Sequence, residues 1–376
     1  MTGSAPPAAS GNEPVPPPPS DWFLPSTLAE VMEVADWGRE GRFVVFRGEL
    51  KLPPADAARE LRRRLERFGM LPFFSREDGG IVIRCTPARR RKEIRRRALP
   101  FFLFLATVVS TLIVGALMSG IPGGALLARP GRLIKGAPFS FTLLVILACH
   151  EFSHYFVSRR HGIRTSLPYF IPFPNLLGTM GAVIISRSPF TDRKSLFDVG
   201  IAGPLASFFL SLGAIILGFS GTTIAPVPVP LDPGPSIQLG NSLLISALFS
   251  LRFGPLPAGS DFFLGPVGFA GWVGLFVTAL NLLPMGQLDG GHISYALFGR
   301  RHDLISRGVM LALAVFGLLA SSPLWIFIAL LVAVFGPRHG PPLDDITPLN
   351  PARRWLAVLA FLILAVCFIP VPLRII

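Results

Sequence analysis

The chain has 376 residues, of which 51% are hydrophobic, and its mean hydropathy is +0.57. A soluble domain of this size rarely tolerates so much apolar sequence, so the composition predicts a polytopic membrane protein embedded in a lipid bilayer. The net charge of +13 does not indicate a nucleic-acid-binding protein, because the basic residues lie mainly beside apolar segments, as expected for the cytosolic flanks of membrane helices.

The N-terminal part of the chain has the composition of a soluble region. Residues 1–21 are rich in proline, alanine, serine and glycine, which predicts a disordered tail, and they lack the features of a signal peptide, which predicts a cytosolic N-terminus. Residues 22–97 are predicted to form a small α/β module of β-α-β-β order, because strand-like apolar runs flank a helical repeat at 57–68. The basic run at 89–97 ends this module and marks the cytosolic side of the first span.

Residues 98–376 are predicted to form a membrane-embedded domain with a core at 139–300. The apolar segments in this region are 99–118, 139–157, 197–219, 264–283, 309–320, 324–335 and 355–370. They predict an all-α polytopic membrane protein of about six or seven transmembrane helices with a small N-terminal α/β cytosolic module. The lower number applies if the segments on either side of Pro323 form a hairpin that does not fully cross. We expect such a multi-pass protein in the cell (inner) membrane.

Two connections between the apolar segments carry further information. Proline and glycine interrupt residues 163–195 too often for a spanning helix. This connection is either a loop on the lipid headgroups or irregular backbone at membrane depth with a short strand at 181–186, which could pair with another extended chain. Residues 220–262 contain many prolines and are predicted to form an external loop.

The second apolar segment contains the motif His150-Glu151-x-x-His154. On a helix, both imidazoles project from one face a single turn apart and can bind the same metal ion, while a metalloprotease uses the intervening glutamate as its base. Two core histidines with a chance glutamate between them are the simpler interpretation. Ionisable groups are costly in hydrocarbon, however, so their position inside an apolar segment favours a functional metal site.

A catalytic zinc ion uses three protein ligands, so the two histidines need one more. The three cysteines are far apart and form no C-x-x-C pair, and His161, His302 and His339 lie in arginine-rich or proline-rich turns. A polar cluster at 281–292 follows an apolar run and contains Asp289, whose carboxylate is a suitable oxygen ligand. The two glycines after this aspartate permit close backbone approach or positive φ. We therefore predict one Zn²⁺ per chain, with Asp289 as the third ligand.

The sequence HEFSH, together with N-x-x-P-x-x-x-L-D-G-G in a later apolar segment, resembles the site-2 protease family of intramembrane zinc metalloproteases. The resemblance covers roughly residues 140–300, and the 220–262 loop is too short for a PDZ domain, so the chain resembles the PDZ-less branch. It implies His150, His154 and Asp289 as metal ligands, with Glu151 as the catalytic base.

The resemblance also implies a substrate class and further site residues. Site-2 proteases cut transmembrane segments, so we expect transmembrane protein substrates and the release of a cytosolic fragment, as in regulated intramembrane proteolysis. Asn281, Pro284, Gly178 and Gly181 are the matching positions expected to contribute to substrate binding or site geometry. The sequence does not specify the oligomeric state.

Two other functions remain open at this point. One is a membrane zinc protease that cuts cytosolic loops of misfolded membrane proteins, and the other is a non-catalytic metal-binding or transport protein. The first would use a glutamate ligand from a downstream soluble helix, whereas here the partner motif lies in an apolar segment. The second has no need of Glu151 between its ligands.

Overall fold

The polypeptide is divided into two compact units. A computed structural model describes residues 27–77, 79–88, 98–226, 237–336 and 338–375. The tail predicted at 1–21 and the basic run at 89–97 lie outside the described residues.

The first unit contains a four-stranded antiparallel sheet with one helix against it. Its elements are β1 (Met32–Glu40), β2 (Phe43–Leu50), α1 (Pro54–Glu66), β3 (Met70–Glu77) and β4 (Gly80–Pro87). The strand order is β1-β2-β4-β3. Helix α1 buries Ala57, Leu61 and Leu65 in the same core as Phe46 and Ile83 of the sheet. The predicted β-α-β-β order therefore lacked one strand, β1.

A distant segment, Pro341–Thr347, completes this unit. The Phe74 N–H on β3 donates to the Leu343 carbonyl at 2.7 Å, and the Asp345 N–H donates to the Phe74 carbonyl at 3.2 Å. The Asp344 carboxylate closes the following turn by accepting from the Thr347 N–H at 3.0 Å and from the Thr347 hydroxyl at 2.6 Å. The segment thus adds a parallel bridge to the outer edge of β3.

The second unit is mainly helical. Its helices are α2 (Ala98–Met118), α3 (Gly123–Ala128), α4 (Ala137–Arg160), α5 (Arg193–Gly218), α6 (Leu243–Phe253), α7 (Pro266–Asn281), α8 (Asp289–Phe298), α9 (His302–Leu319), α10 (Pro323–Phe335) and α11 (Pro351–Cys367). Its strands are β5 (Tyr169–Pro172), β6 (Thr179–Val183), β7 (Thr223–Pro226), β8 (Ile237–Leu239), β9 (Ser260–Phe263) and β10 (Leu373–Ile375). The strands pair as β5 with β6, β7 with β9 and β8 with β10.

Among the described residues, four helical ranges are long and apolar enough to cross a membrane. They are Ala98–Met118, Pro130–Arg160, Arg193–Gly221 and Asp289–Leu319. The expectation of a mostly helical membrane protein in a lipid environment is confirmed at this level. Because α6, α7 and α10 are apolar but shorter, the number of six or seven spans stays a prediction. Gly299, with φ of +58°, divides the fourth range into α8 and α9.

Local signals explain where several elements depart from the predicted limits. Helix α5 begins at Arg193, earlier than predicted, because Asp192 and Ser195 form a reciprocal capping box at its N-terminus. The broken segment at 163–195 forms the β5–β6 hairpin, with the strand at Thr179–Val183 rather than 181–186, and its depth in the membrane stays a prediction. The predicted 220–262 loop contains α6, which starts after the capping hydroxyl of Ser242.

Helices α4, α5 and α7 pack directly on one another and contain the main core. Small residues make this approach possible. A Cβ atom at Gly271 on α7 would lie 2.8 Å from the Ile215 nitrogen and 2.9 Å from the Ser211 carbonyl oxygen of α5. Such backbone contact between helices is typical of membrane proteins. In lipid the hydrophobic effect does not drive helices together, and small residues allow the close van der Waals packing that does.

The contact between α2 and the start of α4 generates a stability prediction. Gly136 has φ of −80°, which any residue adopts, but a Cβ atom there would overlap the Leu112 carbonyl and lie 2.7 Å from the Ala116 nitrogen. Gly136→Ala should therefore lower the Tm of the full chain in detergent, with an overpacking cost of about 1–3 kcal/mol. Gly131→Ala, where a Cβ atom meets nothing within 4 Å, is the matched control. Equal Tm values for the two variants would contradict the steric argument.

Candidate metal centre

Helix α4 presents His150 and His154 on one face, as their spacing predicts. The two Nε2 atoms lie 3.1 Å apart, and both side chains are buried. Glu151, also buried, projects from the next position, and its carboxylate faces the backbone N–H of Ile184, just after β6. The helix therefore holds two nitrogen donors and one carboxylate in a water-poor environment.

Asp289 is the first residue of α8 and reaches the same point. Its Oδ2 atom lies 3.2 Å from His150 Nε2 and 3.3 Å from His154 Nε2. The turn before it contains Pro284 and Gly286, the latter with φ of +49°. The two glycines after Asp289 are helical, and each packs so closely on a carbonyl of this turn that a Cβ atom would overlap it. Close approach, rather than positive φ, is what these two glycines provide.

The outer nitrogens of both imidazoles bind helix α5. His154 Nδ1 lies 2.7 Å from the Val199 carbonyl oxygen, and His150 Nδ1 lies 3.1 Å from the Ser207 hydroxyl. A carbonyl oxygen can only accept, so Nδ1 of His154 donates to it, and the neutral imidazole then has its lone pair on Nε2. Metal-binding histidines are usually oriented in this way by a partner on the second nitrogen.

These donors fit a zinc ion. Two imidazole nitrogens and one carboxylate oxygen form the ligand set of catalytic zinc sites, which leave a fourth position open. Within the described ranges, His150, His154 and Asp289 are the single group of three such residues whose ligand atoms all lie within 4.8 Å of one another.

The remaining described histidines have other partners. His161, just after the end of α4, places its Nε2 atom 3.0 Å from Asp198 Oδ2. His302 Nε2 lies 3.3 Å from the Gly286 carbonyl oxygen. His292 Nδ1 lies 2.6 Å from His339 Nε2. His339 lies partly buried beside the His292 and His302 imidazoles, and the loss of solvent around it lowers its pKa to about 3.

The other predicted site residues take different positions. Asn281, the last residue of α7, places its Nδ2 atom 3.3 Å from His150 Nε2. Gly178 and Gly181 lie in the β5–β6 hairpin with φ of +76° and +96°. Gly178 packs on the backbone of α2, where the Ser110 hydroxyl donates to its carbonyl at 2.6 Å. Asn281 is therefore beside the candidate ligands, and Gly178 allows the hairpin to pack closely on α2.

Comparison with known proteins agrees with this geometry. Residues 138–321, which include all three candidate ligands and Glu151, match the sequence model of peptidase family M50. This range, just under half of the chain, is similar to peptidase family M50. The resemblance to the site-2 protease family is thereby confirmed.

Several similar proteins have names that state an activity. The chain is 29% identical over 331 residues to the probable zinc metalloprotease EGY2, chloroplastic, of Oryza sativa subsp. indica, covering 84% of this chain and 58% of the relative. It is 32% identical over 241 residues to the probable zinc metalloprotease EGY1, chloroplastic, of Arabidopsis thaliana, covering 62% of this chain and 43% of the relative. The chain thus spans about half the length of the curated relatives it matches.

Several residues around the candidate metal centre were not identified from the sequence. Ser207, Thr278 and the Val199 carbonyl contact or support the imidazoles, and Gly203 makes room for His154. Gly203 and Ser207 are four residues apart on one face of α5, which is a signal that small and polar residues line a helix contact. That signal does not distinguish a metal site from ordinary helix packing.

The close contact of Gly203 with His154 leads to a testable prediction for the candidate metal centre. A Cβ atom at this position would overlap the His154 imidazole, so Gly203→Ala should displace the ring and reduce zinc content per purified chain, measured by mass spectrometry of the metal, to below about a tenth of that of the unchanged protein. Gly213→Ala on the same helix, where a Cβ atom meets nothing within 4 Å, should keep its zinc. Full zinc occupancy in Gly203→Ala would show that the ring tolerates the methyl group.

Proposed function

We propose that the chain is an intramembrane zinc metalloprotease that hydrolyses peptide bonds in transmembrane segments of other proteins and releases cytosolic fragments. The observation that carries this proposal is the convergence of two imidazole nitrogens and one carboxylate oxygen, next to Glu151, inside apolar helices of a chain that is similar to peptidase family M50. Such groups are costly in hydrocarbon unless they serve a function.

In this proposal His150, His154 and Asp289 hold the zinc ion. A zinc ion bound there would act as a Lewis acid that polarises the scissile carbonyl and lowers the pKa of water. Glu151 takes the proton from the attacking water and returns it to the leaving amine. The Ile184 N–H holds the Glu151 carboxylate in place, and burial keeps bulk water from competing for it.

A transmembrane substrate has to unwind before hydrolysis, because the backbone groups of a helix are bonded internally. The β5–β6 sheet has two strands, so within the described residues the outer edge of β6 has no strand partner and can receive an extended segment. Asn281 Nδ2 is placed to donate to a carbonyl of that segment beside the ligands. The positive φ of Gly178 and Gly181 shapes the hairpin, and Pro284 fixes the turn before Asp289.

The second unit contains an apolar cavity that suits a helical substrate. Its volume is about 630 Å³, and it is lined by the end of α2, the hairpin turn, α7 and residues in or beside strands β8, β9 and β10. Aromatic side chains form much of its wall, including Phe269, Trp272 and Phe276. An apolar surface beside the turn of the β5–β6 hairpin suits a chain that is helical in lipid and extended at the site of cleavage.

The two rival functions differ in what they require of Glu151. A transporter or metal-storage protein needs the three ligands but has no use for a buried carboxylate beside them. A protease that cuts exposed loops needs the site to open to the aqueous phase, whereas here His150 and His154 are buried among apolar helices and Asp289 is partly buried.

Glu151→Gln tests the proposal directly. The amide retains the size of the side chain but cannot accept a proton, so cleavage of a transmembrane substrate should fall by about 100- to 10,000-fold while zinc remains bound. Cleavage is measured by comparing membrane-protein fragments in cells that carry the unchanged or the Glu151→Gln protein, and zinc is measured on the purified chains. If Glu151→Gln cleaves normally, the chain uses a different base or is not a protease.

The third ligand is tested with a matched pair. Asp289→Ala should lose zinc, whereas His292→Ala should keep it, because His292 directs Nδ1 to His339 rather than to the ligand cluster. The reverse result would assign the third ligand to His292.

We further propose that the metal lies in the half of the membrane nearer the cytosol and that water reaches it from that side. Arg353 of α11 and His161 after α4 both bind Asp198 near the start of α5, so these three helix ends meet at one side of the unit. Basic residues are concentrated at this side, as the positive-inside rule expects of a cytosolic face. His154 lies less than two turns from the end of α4 at Arg160.

Site-directed labelling tests this orientation. In a variant without its native cysteines, Gln287→Cys, which is exposed in the turn before Asp289, should react with a membrane-impermeant thiol reagent in inside-out vesicles and much less in right-side-out vesicles. Ser220→Cys, exposed at the opposite end of α5, should show the reverse preference. Labelling of Gln287→Cys only from the external face would invert the proposed orientation.

A further inference from the structure

The two metal-binding imidazoles are oriented by partners of different chemistry. His154 Nδ1 faces a backbone carbonyl, which can only accept a hydrogen bond. His150 Nδ1 faces the Ser207 hydroxyl, which can either accept or donate. If Ser207 donated its proton, His150 would carry its own proton on Nε2, and that nitrogen would have no lone pair for a metal. Something beyond Ser207 therefore has to decide the direction of this hydrogen bond.

The acceptor nearest to the Ser207 hydroxyl is the hydroxyl of Thr278 on α7. Thr278 Oγ1 donates its single proton to the Gly274 carbonyl at 2.7 Å, which leaves only acceptor capacity toward Ser207 Oγ at 2.9 Å. Thr278 therefore accepts the Ser207 proton at the shortest distance, and the Gly203 and Pro204 carbonyls, at 3.1 and 3.2 Å, are the other acceptors for it. A lone pair of Ser207 then faces His150 and accepts its Nδ1 proton.

Both hydroxyls of this hydrogen-bond chain are buried. The exposed fractions of Ser207 and Thr278 are 3% and 0%, so water does not offer alternative partners to either hydroxyl. Hydrogen bonds in a low-dielectric interior also strengthen one another along a chain. The path from His150 through Ser207 and Thr278 to the Gly274 carbonyl joins α4, α5 and α7.

We propose that Thr278, which does not touch the metal ligands itself, is a positioning residue that acts through Ser207 to fix the tautomer and ring orientation of His150 for zinc binding. This inference rests on the proposed zinc site, but it concerns the affinity of the site rather than its catalytic activity.

Zinc affinity of the purified full-length chain, measured by competition with a chelator, tests the inference. Thr278→Val keeps the shape of the side chain and removes the hydroxyl, so the Kd for zinc should rise about 10- to 100-fold, as for other partners of metal-binding histidines. Thr278→Ser restores the hydroxyl and should keep the Kd within about threefold of the original. Ser207→Ala should weaken binding to a similar extent, and adding Thr278→Val to Ser207→Ala should cause little further loss, since both act through one chain.

The chain offers a matched control in Thr111→Val. Thr111 on α2 is also fully buried, and its hydroxyl meets that of Ser140 on α4 at 2.6 Å, so the variant removes a similar interhelical pair away from the ligands. It should leave zinc affinity unchanged even if it lowers Tm. In the Co²⁺-substituted protein, the visible absorption bands should shift in Thr278→Val and not in Thr111→Val.

The outcomes separate failure of this inference from failure of the zinc site. If His150→Ala weakens zinc binding but Thr278→Val does not, the positioning role of Thr278 is wrong and the site stands. Equal losses in Thr278→Val and Thr278→Ser, or in Thr278→Val and Thr111→Val, also overturn the role, because the effect would then not depend on this hydroxyl. If His150→Ala itself leaves zinc affinity unchanged, the proposed zinc site is wrong.

Discussion

Polar groups buried among apolar helices have to be satisfied by the protein, because hydrocarbon offers no hydrogen bonds. This constraint determines the surroundings of the two imidazoles. Each directs one nitrogen toward Asp289 and the other toward helix α5, where the Val199 carbonyl and the Ser207 hydroxyl receive them. Helix α5 therefore orients both imidazoles, although in our proposal it contributes no ligand itself.

The same constraint requires the helices to lie unusually close. Gly203 lets the His154 ring lie against α5, and Gly200 lets α8 approach the same helix, where a Cβ atom would meet the His292 side chain at 2.8 Å. Gly274 similarly permits contact between α7 and Ser211. Small side chains thus have two effects here. They provide packing between helices in lipid, and they bring backbone carbonyls within reach of polar side chains from a neighbouring helix.

The parts of the structure that the sequence predicted are those encoded by neighbouring residues. His150, Glu151 and His154 fall within one helical turn and a half, and Asp289 lies in a short polar cluster after an apolar run. The Ser207 and Thr278 contacts join residues 57 and 71 positions apart, and serine and threonine are common in membrane helices for reasons unrelated to metals. Strand β1 was missed because most of its side chains are exposed and charged residues interrupt its apolar pattern.

The first unit is discontinuous in sequence, and this affects when it can be completed. Its sheet ends at β3, and among the described residues the outer edge of β3 is paired by Pro341–Thr347 alone. During synthesis that segment leaves the ribosome after helices α2 to α10, so the edge of β3 stays unpaired while the membrane helices are made. Unpaired strand edges readily associate with other chains. The unit whose strands are made first is therefore among the last parts of the protein to reach its final set of hydrogen bonds, and its completion depends on the synthesis of the helices that precede the closing segment.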